Sequence, residues 1–284
     1  MTEYGRREFE GELKALWKST FGDSDWYIDS FFKKVRSDEN TLVYTEGGRV
    51  LSALYIIPYG IFIEGKKETA AYLYALATQP EFRGRGIMSE LINSALDLSR
   101  ERGYAISALI PADVSLAGFY RKFGFEYFFE QVKITKTRKE AEKLAQNSRP
   151  ARLYEADAGQ IWRAYSRSVF VSHEHIVLSE EQNEFYVDTL KNDGGEALIV
   201  KSGTKEYYAL LKFDGGNLLI YETDVDSQTL KPLCAALIEK YDFESVTFCQ
   251  PVCFGKEETD AYKKPFAMAK KLKDISLKDP FLNR

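Results

Sequence analysis

The stretch Thr78-Gln79-Pro80-Glu81-Phe82-Arg83-Gly84-Arg85-Gly86-Ile87-Met88 decides how this chain folds. Before it, residues 69–78 are nearly all apolar, as in a strand buried on both faces. After it, Ile87, Leu91, Ala95 and Leu98 recur on one face of a helix that Gly103 stops. The order is buried strand, glycine-rich turn, helix. Glycines leave backbone N–H groups bare and let a ligand approach closely. The helix start adds unpaired N–H groups and a positive dipole end. Together they form an anion site suited to a pyrophosphate, with Arg83 and Arg85 adding charge. A plainer reading is an exposed glycine-rich turn with two solvated arginines. A Walker A loop needs Gly-Lys-Ser/Thr, and no lysine is present here. A Rossmann fingerprint needs a third glycine, where Ser89 stands, and a βαβ unit, whereas the preceding strands are hairpin-linked. A coenzyme A loop is the phosphate-loop reading that survives.

Towards the N-terminus, Phe9, Leu13, Leu16 and Trp17 have helical spacing within residues 6–17. Phe21-Gly22-Asp23 breaks that helix. Asp23 or Ser24 then caps a second one carrying Trp26, Tyr27, Phe31 and Phe32. Residues 41–45 and 49–57 flank Glu46-Gly47-Gly48, a hairpin signal, and Pro58 and Gly60 end the pair. Residues 61–64 and 69–78 flank Gly65-Lys66, a second hairpin. Beyond the helix that starts at Ile87, residues 104–110 read as a short buried strand ended by Pro111. A helix over 115–122 follows, then an aromatic strand over 125–129.

Residues 133–150 are lysine-rich with few large apolar side chains and read as a partly helical linker. The expected division is therefore 1–132, a linker over 133–150, and 151–284. After Pro150 the order partly repeats: a helix near 158–169, a hairpin over 196–201 and 206–213, a strand over 217–223, a helix near 228–241, and a strand over 245–249 ended by Gln250-Pro251. In the second copy the turn is Thr223-Asp224-Val225-Asp226-Ser227. Asp224 and Asp226 would occupy the dipole end that a phosphate wants, so one coenzyme site per chain is expected, in the first copy. The second copy is expected to shape the acceptor pocket or a homo-oligomer contact.

The chain has 284 residues, 44% hydrophobic and 29% charged, enough for two folded domains. A net charge of −4 and a pI near 5.5 argue against a nucleic-acid-binding protein; they weakly favour cationic partners, and the plainer reading is a solvated acidic surface that aids solubility. Cys234, Cys249 and Cys253 are sparse and odd in number, which points to a reducing compartment. Cys249 and Cys253 lack a second ligand pair, and His173 and His175 are remote in sequence, so no metal is expected. Residues 1–10 carry no apolar run and no segment has membrane-spanning length, so the expectation is a cytoplasmic protein with no membrane partner.

The opening stretch, followed by Phe119-Tyr120-Arg121-Lys122-Phe123-Gly124-Phe125, closely resembles the GNAT (GCN5-related N-acetyltransferase) superfamily, its acetyl-CoA loop and its FYxKxGF segment. The resemblance covers residues 1–130 well and the second copy loosely. Two such units in one chain further resemble the Eis-like acetyltransferases, although this chain is too short for their third domain. The resemblance implies an α+β (α/β) fold of two GNAT-like units, each a mixed, mostly antiparallel sheet flanked by helices. It implies acetyl-CoA as co-substrate, held by Leu76, Ala77, Thr78, Arg83, Gly84, Arg85, Gly86, Ile87 and Met88. A backbone N–H of residues 76–78 would polarise the thioester, and Tyr120 would protonate the leaving thiolate as general acid. The other reading of Tyr120 is core packing. One departure stands out: Glu81 occupies a place where the family's loop commonly has Gln or Arg.

The implied activity is N-acetyl transfer to a small-molecule or peptide amine. A non-catalytic acyl-CoA-binding module and an aminoacyl or other acyl transferase of tandem type remain open beside it. The general base is not legible. In Eis-like enzymes the C-terminal carboxylate reaches the site, and Arg284 would supply it here. Tyr72 and Tyr74 would flank the acceptor or simply pack in the strand.

Overall fold

The computed structural model describes residues 1–63, 66–169, 176–249 and 262–275; side chains at 130–132, 168–169 and 262–264 are not described. In chain order the elements are β1 (Thr2–Tyr4), α1 (Glu10–Phe21), α2 (Asp25–Lys34), β2 (Thr41–Glu46), β3 (Arg49–Ile63), β4 (Lys66–Thr78), α3 (Ile87–Glu101), β5 (Ile106–Leu109), α4 (Ala117–Arg121), β6 (Glu126–Thr137), α5 (Arg138–Ala145), β7 (Arg152–Glu155), α6 (Ala158–Val169), β8 (Ile176–Val177), α7 (Glu180–Asn192), β9 (Glu196–Ser202), β10 (Lys205–Asp214), β11 (Asn217–Thr223), α8 (Leu230–Lys240), β12 (Ser245–Phe248) and β13 (Tyr262–Lys271). They form two compact units. The first takes Met1–Phe129 and Ile176–Glu181 and draws in the C-terminal strand from Phe266; the second holds the described parts of 130–175 and 182–265. Residues 133–150, expected to link two domains, hold the end of β6 and helix α5.

The first unit is a mixed sheet in the order β1-β2-β3-β4-β5-β13, with β8 paired to β3. Every ladder in it is antiparallel except β4–β5. One face packs on α3, where Leu91, Ile92, Ala95 and Leu96 meet Leu54, Ile56, Ala71 and Leu73. Burying each Leu or Ile there contributes roughly 2 kcal/mol. The opposite face is aromatic. Trp17 of α1 lies 5.4 Å from Tyr55 and 5.7 Å from Tyr74, and Phe31 of α2 lies 5.1 Å from Tyr55.

Two expectations about the hairpins are corrected. Pro58 and Gly60 do not end a strand, because β3 runs on to Ile63 with Pro58 opposite Ala71. The β2 ladder on the other edge stops at Tyr55, and β8 begins only at Gly60, so the missing proline N–H interrupts no ladder. The three strands expected over 49–78 are thus two long ones, although Glu64 and Gly65 at their turn are not described. Helix α1 also starts later than its apolar spacing implies, after a single turn of 3-10 helix at Arg7–Phe9. Gly22 stops it with φ 75°, and Ser24, rather than Asp23, caps α2 through the Tyr27 N–H at 3.2 Å.

The second unit repeats the plan in the order β6-β12-β11-β10-β9-β7, with β11–β12 its parallel pair. Its core joins Leu198, Val200, Leu218 and Ile220 to Leu233 and Leu237 of α8. Helix α7 was not legible in the sequence; it buries only Asn183, Val187 and Leu190. At the turn after β11, Asp226 takes the helix start as expected, whereas Asp224, expected there too, bonds strand β10 instead. Asp226 accepts from the Thr229 N–H just ahead of α8 at 2.8 Å, from Tyr207 at 2.6 Å and from Lys205 at 2.8 Å. Burial works against its charge, but those bonds outweigh it and hold the carboxyl well below the usual range. Asp224 accepts from the Tyr208 N–H at 2.7 Å, and beside it Glu222 accepts from the Tyr208 hydroxyl at 2.5 Å. Burial, opposed by that backbone bond, pushes Asp224 up to about 7.

This carboxyl ties the stability of the unit to pH. Between the ordinary carboxylate range and about pH 7, folded Asp224 holds a proton that the unfolded chain has lost. Stability therefore falls as pH rises through that window and levels off above it. Asp224→Asn keeps an oxygen for the Tyr208 N–H and removes the proton. Its urea midpoint should gain steadily on wild type from about pH 5 to about pH 8. Parallel midpoints across that range would show Asp224 to be charged in the fold.

Candidate functional site

Strands β4 and β5 pair at only three positions: Ala70 with Ile106, Ala71 with Ser107, and Tyr72 with Ala108. Strand β4 continues to Thr78, so its edge facing β5 carries no ladder with that strand beyond Tyr72. On the other side it stays paired: Ala77 faces Ala53 and Thr78 faces Ser52. Ser52 Oγ reinforces this by donating to the Ala77 carbonyl at 2.8 Å and bonding Thr78 Oγ1 at 2.8 Å. Between these anchors the register shifts, and Ala75 takes φ 46°. An alanine in the left-handed region costs about 1–2 kcal/mol, so surrounding pairing must hold it there. Successive N–H groups alternate sides along a strand, so the parted edge at Leu76–Thr78 offers backbone donors into the gap.

The chain then leaves the sheet through Gln79. Its N–H donates to Leu51 O at 2.9 Å and its side-chain amide to Val50 O at 2.6 Å. Pro80–Phe82 make one 3-10 turn. Gly84 and Gly86 follow at φ 76° and 81°, and a Cβ on either would meet nothing within 4 Å. The glycines therefore serve the backbone angle and leave the space above the turn open. Gly86 caps α3, no side chain caps that end, and the Glu90 N–H to Gly86 O bond at 3.1 Å opens the helix ladder. The preceding N–H groups, Ile87 and Met88 among them, have no intrahelical acceptor. Arg83 Nε donates to Thr78 O at 3.0 Å and ties the turn to the strand end. Arg85 reaches the Glu81 carbonyl at 3.3 Å and lies 4.9 Å over the Phe82 ring. Glu81 is exposed, and it is its carbonyl, not its carboxylate, that Arg85 reaches. The Glu90 carboxylate in the first turn of α3 accepts from Thr2 Oγ1 at 2.7 Å.

Tyr120 sits on α4, which follows a 3-10 turn capped by Asp113 through the Ser115 N–H at 2.7 Å. Only 8% of Tyr120 is exposed, and its ring meets Phe119 at 5.3 Å and Phe125 at 6.3 Å. Tyr120 shares one core with Leu73, Leu91 and Ala117, against which Leu76 and Met88 also rest. Burial raises its phenol above the ordinary value, which favours the protonated form. The turn after it depends on Gly124 at φ 83°, while Lys270 donates to the Phe123 carbonyl.

Sequence reading missed the breadth of the tyrosine face. Tyr55 and Tyr59 on β3 lie on the same face as Tyr72 and Tyr74 on β4, since Tyr55 pairs with Tyr74 and Ile57 with Tyr72. The alternation Tyr55-x-Ile57-x-Tyr59 opposite Tyr72-x-Tyr74 was the available signal. Burial pushes all four phenols well above their ordinary range. Arg284, His173, His175 and Cys253 lie outside the described residues. Cys234 and Cys249 are buried and unpaired, and burial pushes the Cys234 thiol up to about 12. Among the described residues no cluster of metal-ligating side chains occurs, and no helix is long and apolar enough to cross a membrane.

The GNAT acetyltransferase domain family matches residues 4–128. No curated protein sequence matches the chain. Among solved structures, a GCN5-related N-acetyltransferase from Kribbella flavida is similar with TM-score 0.75 and 18% identity, over 95% of this chain and 70% of that one. Eis1 from Mycobacterium abscessus is similar with TM-score 0.73 and 12% identity, over 96% of this chain and 74% of that one. The Saccharomyces cerevisiae N-myristoyltransferase with bound myristoyl-CoA is similar with TM-score 0.53 and 11% identity, over 94% of this chain and 82% of that one. Residues 4–128 thus form a GNAT acetyltransferase domain, and the chain as a whole has the Eis-like fold of two GNAT-like units.

Proposed function

We propose that this protein is a cytoplasmic N-acetyltransferase that moves the acetyl group of acetyl-CoA onto an amine of a small molecule or peptide. The observation that carries the reading is the continuous run from the parted β4 edge into the Arg83–Met88 turn and the uncapped start of α3. In this reading the pyrophosphate lies on the N–H groups of Gly84, Gly86, Ile87 and Met88, with Arg83 and Arg85 alongside. The pantetheine arm continues along the free edge of β4 at Leu76, Ala77 and Thr78.

The chemistry then has a place for each group. The amine nitrogen attacks the thioester carbon and the carbonyl π pair moves to oxygen. A backbone N–H of the Leu76–Thr78 edge steadies that oxyanion. On collapse the C–S bond breaks, the sulfur takes the phenol proton of Tyr120, the nitrogen loses its proton to water, and the phenolate recovers a proton from solvent. A phenol held neutral by burial suits an acid beside a thiolate. The Asp226 carboxylate at the corresponding helix start of the second unit supports one coenzyme site per chain. The net charge of −4 supports an amine rather than a nucleic acid as partner.

Thiol release from acetyl-CoA across a panel of amines tests the activity. Tyr120→Phe should lower kcat by about a hundredfold or more while leaving the coenzyme Kd unchanged. Equal rates would remove Tyr120 as the acid, and coenzyme binding without turnover on any amine would leave a binding module.

Gly84→Asp tests the phosphate site separately. It forces a side chain onto a backbone at φ 76° and sets a negative charge at the pyrophosphate. Calorimetry should find coenzyme affinity reduced by more than about a hundredfold, with the far-UV spectrum unchanged. Retained affinity would place the coenzyme elsewhere.

A further inference from the structure

The aromatic face of the first unit carries a polar seat that the proposed transfer leaves unused. Tyr27 on α2 brings its hydroxyl to 2.5 Å from the Tyr74 hydroxyl, across 47 positions of sequence. The Tyr72 ring lies 5.6 Å from Tyr74 and 5.6 Å from Tyr59. Trp17 closes the group and donates its indole N–H to Asp23 Oδ2 at 2.7 Å. Tyr27, Tyr59, Tyr72, Tyr74 and Asp23 are each half-buried, so the seat opens to solvent. Burial pushes the Tyr27 phenol up to about 12, and the Asp23 carboxylate disfavours ionisation of both Tyr27 and Tyr74. The phenols stay neutral and offer lone pairs, the rings offer their negative faces, and Asp23 supplies a full charge. Lys18 lies beside Asp23, and it is engaged: its ammonium meets the Asp23 carbonyl at 2.8 Å and the Asp25 carboxylate at 3.0 Å.

The seat also has an apolar rim and the right neighbours. The turn that carries Asp23 is flanked by Phe21 and Trp26, each 39% exposed. Tyr72 is the last β4 residue paired to β5, and Tyr74 immediately precedes the bulge at Ala75.

Resting on the acyl-transfer reading, we propose that the Tyr27–Tyr74 hydroxyl pair and Asp23 are the residues that receive the acceptor's amino group as a cation, and that the acceptor is an arylalkyl amine whose apolar body rests on Phe21 and Trp26. Cations are drawn to ring faces, and a hydrogen bond to a charged group is worth more than a neutral one. The neutral amine that attacks forms from the bound cation by loss of one proton to solvent.

The test uses the full chain, acetyl-CoA and three amines: phenethylamine, glucosamine and glutamate. Phenethylamine should be preferred in kcat/KM by about tenfold or more over both others. Tyr74→Phe and Asp23→Asn should each raise its KM by about tenfold, with kcat within about threefold of wild type and the coenzyme Kd unchanged. Saturation-transfer NMR of phenethylammonium on the coenzyme-loaded protein should show binding that both variants weaken, whether or not it is turned over. Preference for glucosamine or glutamate, an unmoved KM, or a saturation signal equal in wild type and variants would overturn this assignment while leaving acyl transfer intact. Absence of coenzyme binding would overturn the acyl-transfer reading itself. Should Asp23→Asn fail to fold for want of its Trp17 bond, Tyr74→Phe alone decides.

Discussion

Two neighbouring strands that pair for three residues and then part are the constraint on which the first unit's site depends. Up to Tyr72 and Ala108, strands β4 and β5 share a parallel ladder. Beyond that, β4 keeps its antiparallel partner β3 while its other edge is left to find different company. An unpaired strand edge is a liability in most folds, because its N–H and C=O groups invite any extended chain. Here it runs directly into a turn whose backbone angles only glycine adopts without strain and then into a helix whose first N–H groups are uncapped. The same feature that would be a defect elsewhere lines up backbone donors along a continuous path from strand to helix. The alanine held at φ 46° is part of that arrangement: its strain is sustained because Ser52 clamps the strand on the far side.

The second unit repeats the parting without the glycine turn. Strand β11 also outruns its parallel partner, whose last paired position is Ile220 with Phe248, and its β10 ladder also shifts register. The chain leaves β11 through Thr223-Asp224-Val225-Asp226 rather than through a glycine turn. Asp226 bonds the Thr229 N–H at the helix start, whereas Asp224 bonds the Tyr208 N–H on the neighbouring strand β10. One backbone plan thus leads into an open glycine turn in one unit and into a turn of bonded aspartates in the other.

The two faces of the first sheet divide the labour. The α3 face is aliphatic and anchors the helix whose start matters. The α1–α2 face is aromatic, and its phenols carry the polar atoms. Since β3 and β4 are long and continuous through Pro58, a single ladder sets the register of both faces. A one-residue slip would exchange Leu73 for the tyrosines on either side of it and dismantle both.

The sequence by itself determined what depends on a few consecutive residues. The positive-φ turn at Gly84 and Gly86, the apolar stripe of α3, the stop at Gly103, the strand Asn217–Thr223 and the helix Ala158–Val169 are all local choices of backbone angle and periodicity, and they were legible as such. Only the tertiary structure decided what depends on partners far along the chain. Pro58 looks like a strand end until the neighbouring ladders are known to leave a gap beside it. The C-terminal strand joins β5 through Met268 and Leu109, a pairing no local pattern announces. The bulge at Ala75 has no glycine to mark it, and the Tyr27–Tyr74 contact exists only because α2 crosses a strand that is formed 47 residues later. Local signals report the angles that a segment prefers; the pairing of edges and the meeting of side chains are set by the burial and hydrogen bonding of the whole unit.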